Sequence, residues 1–251
     1  MDIFENSQYG DNSQTQEKQG DLLLKLCDNF SDDGVTNILD IGCGDGTLTR
    51  KVDKMYGESY VIGIDSSKEQ IKNASDKYEN IDFYNMSFPS STFKENKFDL
   101  IISNCSMHWI DEQKESYEEL NRIISDDGII VIHQGHKGCY SEMKRLAKDI
   151  LVEMGYDEVS DWEYPIDYHT KSSIKEIIES CNLSLEFIEV VEADLPEDIF
   201  TDYANAGLLN FKEIVEDDWK EFEKQFLKRS TKELKVEDIN SKRLYFVCET
   251  E

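Results

Sequence analysis

Ile38-Leu39-Asp40-Ile41-Gly42-Cys43-Gly44-Asp45-Gly46-Thr47-Leu48-Thr49 reads as an apolar strand that runs into three glycines at alternate positions and then opens a helix. Glycine suits such a turn for three reasons: tight backbone curvature, close approach of a ligand to bare backbone, and close packing of helix on strand. Nineteen residues after Gly46, at the end of the next apolar run Val61-Ile62-Gly63-Ile64, stands Asp65. A carboxylate there can accept hydrogen bonds from both ribose hydroxyls of an adenosine-containing ligand lying across the first two strand ends. A glycine-rich turn alone is common, but turn and acid in this order and at this spacing point to an adenosine site.

The third glycine selects the cofactor. A dinucleotide fold uses G-x-G-x-x-G with a helix N-terminus facing the pyrophosphate, whereas here the order is G-x-G-x-G and position 47 is Thr. Asp40 stands two residues before the first glycine. A buried carboxylate beside the loop would repel a pyrophosphate but can accept hydrogen bonds from an ammonium, directly or through water. This favours the cationic amino-acid end of S-adenosylmethionine over NAD, with a nicotinamide oxidoreductase kept as a minor alternative.

Outward from the loop, Leu22, Leu23, Leu26 and Phe30 fall on one helical stripe, which predicts an amphipathic helix over about residues 14–30. Strands are predicted at 37–41, 60–64, 81–85, 98–103 and 128–133, the last behind an Asp126-Asp127-Gly128 turn. Helices are predicted between them from about 47–55, 68–77 and 112–124. This alternation argues for a parallel α/β sheet with helices on both faces. Further helices at about 141–154 and 172–181 precede strands at 184–191 and 243–249. Between those strands, Phe200, Tyr203, Phe211, Trp219, Phe222 and Phe226 recur at helical spacing. They predict a helical insertion, whose aromatic stripe either contacts substrate as a lid or packs the insertion onto the body. The expected division is therefore a leader and helix over 1–36, the cofactor-binding domain over 37–191 and 241–251, and the insertion over 192–240.

With 251 residues, the chain suits one large domain or a domain carrying an insertion. Its apolar runs fall far short of the ~20 residues a membrane span needs. The start, Met1-Asp2-Ile3-Phe4-Glu5-Asn6, shows no basic and apolar signal, so a cytoplasmic protein is expected. Six cysteines (Cys27, Cys43, Cys105, Cys139, Cys181, Cys248) are spread singly, which suits reduced thiols rather than zinc or a disulfide framework. Lys and Arg total 27 against 54 Asp and Glu, a net charge of -27 that disfavours nucleic acid as a partner. If the substrate is an acid, Lys137, Lys144 or Arg145 beyond the fifth strand must offset that field.

Asp40 to Gly46 together with Asp65 resemble the first motif and the ribose-binding acid of the class I S-adenosylmethionine-dependent methyltransferases, over roughly residues 37–133. Ile101-Ile102-Ser103-Asn104-Cys105-Ser106-Met107-His108-Trp109 is similar to the segment after the fourth strand in methyltransferases of small carboxylic acids, the trans-aconitate, malonyl-carrier-protein and juvenile hormone acid group. Tyr9, Asn12-Ser13 and Gln16 resemble the N-terminal segment that closes over cofactor in the last of these.

The resemblance implies a Rossmann-like seven-stranded, mostly parallel sheet, with the last strand inserted antiparallel between the fifth and sixth. It implies contacts to the methionine moiety from Asp40, Gly42, Cys43, Gly44 and Gly46, to ribose from Asp65, and to the adenine edge from Ser66. Asn104 would face the sulfonium and Gln16 would close over the cofactor. Where the family often has an acid for the adenine amine, this chain has Asn85-Met86-Ser87, and Ser87 is the candidate substitute. Substrate candidates are Tyr9, Trp109, His133 and Tyr140, with Trp162 as a further pocket aromatic. His108 and His136 are the candidate catalytic residues, His108 either acting on the acceptor or shaping the wall. No carboxylate pairs with the histidines at spacing that would suggest a metal.

The implied reaction is O-methylation of a carboxylate on a small molecule, releasing S-adenosylhomocysteine. N- or C-methylation of a metabolite and a non-catalytic S-adenosylmethionine-binding module stay open. Ser103-Asn104-Cys105-Ser106 lacks the Asn/Asp-Pro-Pro-aromatic motif of enzymes that methylate nucleic-acid amines. Neither membrane nor nucleic acid is expected as a partner, and a monomer is slightly favoured.

Overall fold

The computed structural model describes residues 15–31, 34–161, 168–194, 208–235 and 240–251. β1 (Asn37–Ile41) lies mid-sheet because Ile38, Leu39 and Ile41 give it apolar side chains on both faces. It pairs in parallel with β2 (Tyr60–Asp65) on one side and β4 (Phe98–Asn104) on the other. β3 (Asp82–Asn85) extends the β2 side and β5 (Ile124–Gly135) the β4 side, again in parallel. β7 (Asn240–Thr250) inserts antiparallel between β5 and β6 (Leu183–Asp194), giving the order β3-β2-β1-β4-β5-β7-β6. The strand order reverses between β1 and β4, and open α/β sheets hold ligands in the crevice outside the strand ends at such a reversal.

Alternate residues of each strand enter opposite layers. On one face α1 (Thr15–Phe30) and α2 (Thr47–Tyr56) set Leu22, Leu26 and Val52 against Ile38, Val61, Leu100 and Val131. On the other, α4 (Gln113–Ile123) and α6 (Lys171–Ser180) set Tyr117, Leu120 and Ile174 against Leu39, Ile101 and Ile130. α3 (Lys68–Lys77) starts at a Ser67 cap whose hydroxyl accepts from Gln70 N. Among the described residues no helix is long and apolar enough to cross a membrane.

The segment before β7 contributes α7 (Leu209–Val215) and α8 (Trp219–Glu233), and its aromatic stripe turns inward. Phe211, Phe222 and Phe226 are fully buried against Met143, Leu146 and Ile150 of α5 (Ser141–Glu153). That is packing onto the body; Phe200 and Tyr203 lie outside the described residues. β6 runs on to Asp194 and β7 begins at Asn240, because Glu192, Ala193 and Asp194 pair with Lys242, Ser241 and Asn240. The sheet therefore takes in residues 192–194 and 240, which the sequence reading gave to the insertion. The Asp126-Asp127-Gly128 turn likewise does not open β5. Ile124 already pairs with Phe98, and the register jumps to Leu100 against Ile129, so the turn residues form a bulge inside the strand.

Tyr117 is fully buried in the α4 layer, and its hydroxyl has no hydrogen-bond partner. Leaving such a donor unmade costs roughly 1–3 kcal/mol. Tyr117→Phe keeps the ring and removes that cost, so urea denaturation is expected to show stability unchanged or raised by about 1 kcal/mol. A clear loss would mean that a buried water satisfies the hydroxyl.

Candidate functional site

The glycine loop hangs from β2: Gly42 N and Cys43 N both donate to Ile64 O, at 2.8 and 3.0 Å. Gly42, Gly44 and Gly46 all adopt left-handed backbone, with φ of 70°, 54° and 77°. The Ser106 side chain lies directly on Gly42, where a Cβ would stand 1.9 Å from Ser106 Oγ. At Gly44 a Cβ would meet nothing within 4 Å, so this part of the loop offers bare backbone to open space. The Cys43 thiol is buried against β2 at Gly63 rather than facing that space.

Asp65, at the end of β2, has its carboxylate fixed by two backbone donors. Oδ2 accepts from Gly44 N at 3.0 Å and Oδ1 from Ser67 N at 2.8 Å. A carboxylate has about four acceptor positions, so capacity remains for hydroxyl donors. Asn85 Nδ2 donates to the carbonyls of Asp65 and Ser66, at 3.0 and 2.8 Å, and braces this turn. The bracing role of Asn85 was not anticipated, since only its place at the end of β3 was visible. Ser66 and Ser87 are both exposed. Behind the loop Asp40 is 1% exposed and accepts from Thr49 Oγ1 at 2.7 Å. Burial, reinforced by the negative charge of Asp65 and partly offset by Thr49, pushes its pKa up to about 7.

Across the crevice, His133 Nδ1 donates to Asn104 Oδ1 at 2.6 Å, and its ring stacks on Tyr245 at 4.3 Å. Cys105, in left-handed backbone, places its thiol 3.5 Å from His133 Nδ1 and donates to Gln19 Oε1 at 3.5 Å. Gln19 and Cys105 are 86 residues apart, and nothing in the local pattern announces their meeting. His133 Nε2 and Gln19 Nε2 are both buried with no hydrogen-bond partner. Burial drives the His133 pKa well below the ordinary range, with Arg243 adding to the effect. Gln16 lies on α1, its side chain outside the described residues, as are Tyr9 and Trp162.

The outer wall is aromatic and cationic. Trp109 is 56% exposed, its ring 5.7 Å from His108, which is buried and lies 5.4 Å from Tyr168. Lys144 Nζ sits 4.2 Å from the centre of the Tyr168 ring. Arg243 Nη2 donates to the buried Tyr140 hydroxyl at 2.8 Å. Burial, with Arg243 and Lys144 adding, pushes His108 down to about 3, so it is neutral at pH 7 and a weak base. Its Nδ1 has no partner. A neutral imidazole between Trp109 and Tyr168 is compatible with either expected role of His108, on the acceptor or in the wall. His136 lies elsewhere: it forms a bridge with His169, and its N–H donates to Lys242 O. Burial lowers its pKa as well, and no contact draws its ring to Asn104 or His133. Of the expected cations, Lys137 and Arg145 are exposed, Arg145 pairing with Glu142 and Asp149, whereas Lys144 turns inward. Arg243 was missed, although the two-residue period of the last strand puts it on the same face as Tyr245 and His133.

The arrangement suits S-adenosylmethionine: a buried acid for an ammonium, open glycine backbone, a fixed carboxylate for a ribose, and unsatisfied polar atoms beyond. Among the described residues no cluster of His, Cys, Asp and Glu could hold a metal ion.

The methyltransferase domain family matches residues 32–182. The chain is 27% identical over 207 residues to malonyl-acyl-carrier-protein O-methyltransferase 2 of Ilyobacter polytropus, covering 77% of this chain and 75% of that protein. Among solved structures, the 4+2-cyclase SpnF superposes with a TM-score of 0.67 at 17% identity, covering 96% of this chain and 85% of that one. A Haemonchus contortus Phospholethanolamine N-methyltransferase 2, solved with phosphomonomethylethanolamine and S-adenosylhomocysteine, superposes with a TM-score of 0.57 at 16% identity, covering 99% and 60%. A fold shared by a cyclase and a methyltransferase does not name a reaction, whereas the family match spans the loop, Asp65 and the β4 segment together. The chain belongs to the methyltransferase domain family and is a class I methyltransferase that uses S-adenosylmethionine.

Proposed function

We propose that this enzyme methylates a carboxylate oxygen of a small acid. The observation that carries this reading is the burial of the two histidines beside the crevice, His108 and His133, which, with Arg243 adding at both, pushes their pKa values down and makes them poor bases. A hydroxyl or amine nucleophile would need a base, whereas a carboxylate arrives already ionised. The Ilyobacter relative, named as an O-methyltransferase, supports an oxygen acceptor. S-adenosylmethionine held by Asp40 and Asp65 would supply an activated sulfonium methyl, and a carboxylate acceptor would need no proton removed.

In this reading Asp40 holds the cofactor ammonium, the backbone at Gly44 lies along the methionine moiety, and Asp65 accepts from the ribose. Asn104, oriented by His133, flanks the transfer path. Ser66, Ser87, Gln16 and Tyr9 keep the adenine-side and closing roles that the family resemblance gives them. Catalysis is then mainly positioning, worth up to about 7–11 kcal/mol for well-aligned reactants.

Asp40 gives a pH signature. Its folded pKa of about 7 lies above the ordinary aspartate value of 3.8, so the folded apoprotein holds the proton more tightly than the unfolded chain. Apoprotein stability should fall as pH rises from about 4 through about 7 and then level off. Asp40→Asn should flatten that dependence and raise the apoprotein Tm at pH 8. It should also shrink the S-adenosylhomocysteine-induced Tm shift, because the ammonium loses its counter-charge. Thermal scans at pH 5.5 and 8, with and without S-adenosylhomocysteine, read both effects.

The test of function is product analysis. Malonate, trans-aconitate, straight-chain acids and matched amines are incubated with enzyme and S-adenosylmethionine, and mass spectrometry seeks the methyl ester. Methylated amines without esters would sink the carboxylate reading. Lys144, with its pKa lowered by burial to about 8, favours that second reading, since its neutral form could take a proton from an amine. The pH profile separates the two, with ester formation falling as Lys144 loses charge and amine methylation rising.

A further inference from the structure

Resting on the carboxylate reading, we infer that Arg243 and Lys144 form the subsite that grips the acceptor's carboxylate, and that the Trp109–His108–Tyr168 wall receives an apolar body behind it. The two cations come from different elements, Arg243 from β7 and Lys144 from the first turn of α5, and each lies against a tyrosine ring, Tyr140 and Tyr168 respectively. Arg243 Nη2 donates to the Tyr140 hydroxyl, and its Cζ lies 5.3 Å from the centre of that ring. Lys144 is placed by the Tyr168 ring beneath it. Tyr168 in turn lies on the end of β5, where only glycine fits, since a Cβ at Gly135 would come within 2.0 Å of its ring. Gly135 and Arg243 are register partners, and His133 and Tyr245 are the next pair on the same face. Arg243 thus stands one two-residue strand step along β7 from Tyr245, whose ring stacks on the His133 that contacts Asn104.

In a chain of net charge -27, two cations are part-buried here; the charge of both reaches His108, and that of Arg243 reaches His133. Among the described residues, Lys144 interacts electrostatically with Arg243 on β7 and Cys139 before α5, and it shares the Tyr168 ring with His108. A planar guanidinium and an ammonium close enough to feel each other's charge suit a carboxylate. From there the wall continues outward through Tyr168 and His108 to Trp109, which exposes most of its ring at the mouth. A ligand that fills both ends is an amphiphilic acid, with its head on the cations and its apolar part along the rings.

The experiment is calorimetric titration of the S-adenosylhomocysteine-loaded protein with hexanoate, decanoate and the corresponding amides, beside ester formation with S-adenosylmethionine. The acids should bind, decanoate more tightly, and the amides at least about tenfold more weakly. Arg243→Gln should weaken the acids about 30-fold and Lys144→Gln about tenfold, with S-adenosylhomocysteine affinity unchanged and Lys144→Arg restoring binding. Trp109→Ala should cost decanoate more than hexanoate. Acid binding in the parent protein should weaken above pH 8. If Arg243→Gln does not fold, Arg243→Lys and Lys144→Gln carry the test through their effect on acid affinity.

Equal binding of acid and amide, no acid binding up to about 10 mM, or acid affinity unmoved in the charge variants would each overturn the subsite. Acid binding that depends on Arg243 and Lys144 without any methyl ester would leave the subsite standing and overturn the carboxylate reaction instead.

Discussion

Gly42→Ala is expected to weaken S-adenosylmethionine binding by more than about 100-fold and to destabilise the fold by about 2–4 kcal/mol, the sum of backbone strain and overpacking. Gly42 holds φ at 70°, where an L side chain costs roughly 1–2 kcal/mol. The added methyl would also stand 1.9 Å from Ser106 Oγ and 2.2 Å from Ser106 Cβ. Ser106 follows β4 and Gly42 follows β1, the two strands between which the order reverses, so relieving the clash must open the crevice itself. Ser106→Gly in the alanine background removes the colliding atoms and should recover the overpacking part, leaving about 1 kcal/mol of backbone strain. Calorimetry with S-adenosylhomocysteine and urea denaturation of both variants measure the two components. Parent-like affinity in the single variant would mean that the loop is not held by this contact.

Asp65→Ala should be as severe for a different reason. It removes a charged acceptor facing the crevice and strands the two backbone donors, Gly44 N and Ser67 N, that now end on its carboxylate. Hydrogen bonds to charged groups contribute about 1.5–3 kcal/mol each, so the loss of two ribose contacts predicts about 1,000-fold weaker cofactor binding. Stability should fall by only about 1–2 kcal/mol, since both freed donors lie at a partly exposed turn that water can reach. Asp65→Asn keeps the shape but loses the charge and one acceptor, and should sit between the two, near tenfold to thirtyfold. An Asp65→Ala protein that loses stability yet binds cofactor normally would reduce this residue to a brace for the loop.

These two positions are also where the sequence was most legible. The left-handed turns at Gly42, Gly44 and Gly46 and the carboxylate at the end of the next strand depend on backbone within one β-α-β unit. The strands around them were legible for the same reason, as apolar runs of strand length separated by helical stripes. The errors fall where neighbouring strands decide. Pairing of Ile124 with Phe98 drew the Asp126-Asp127-Gly128 turn into β5, and β7 carried β6 on to Asp194.

Histidine chemistry was legible only in part. The His108-Trp109 pair was legible as a motif, but its residue types did not foretell a His108 pKa of about 3, which follows from burial and two cations. Lys144 was weighed equally with Lys137 and Arg145. Only packing separates them, since Arg145 turns to Glu142 and Asp149 on the outer face of α5 while Lys144 turns to Tyr168.

By itself, then, the sequence determined the α/β class, the glycine loop, the acid that follows it and the absence of a dinucleotide pattern, because each is a property of adjacent residues and short-range backbone geometry. The tertiary structure alone decided that Arg243 meets Tyr140 across 103 residues and that Gln19 meets Cys105 across 86. The first contact exists because β7 enters antiparallel between β5 and β6, and the second because α1 packs over β4 and β5. Strand order and layer packing are settled by which apolar faces cover one another, and local periodicity is the same whichever neighbour a strand finally takes.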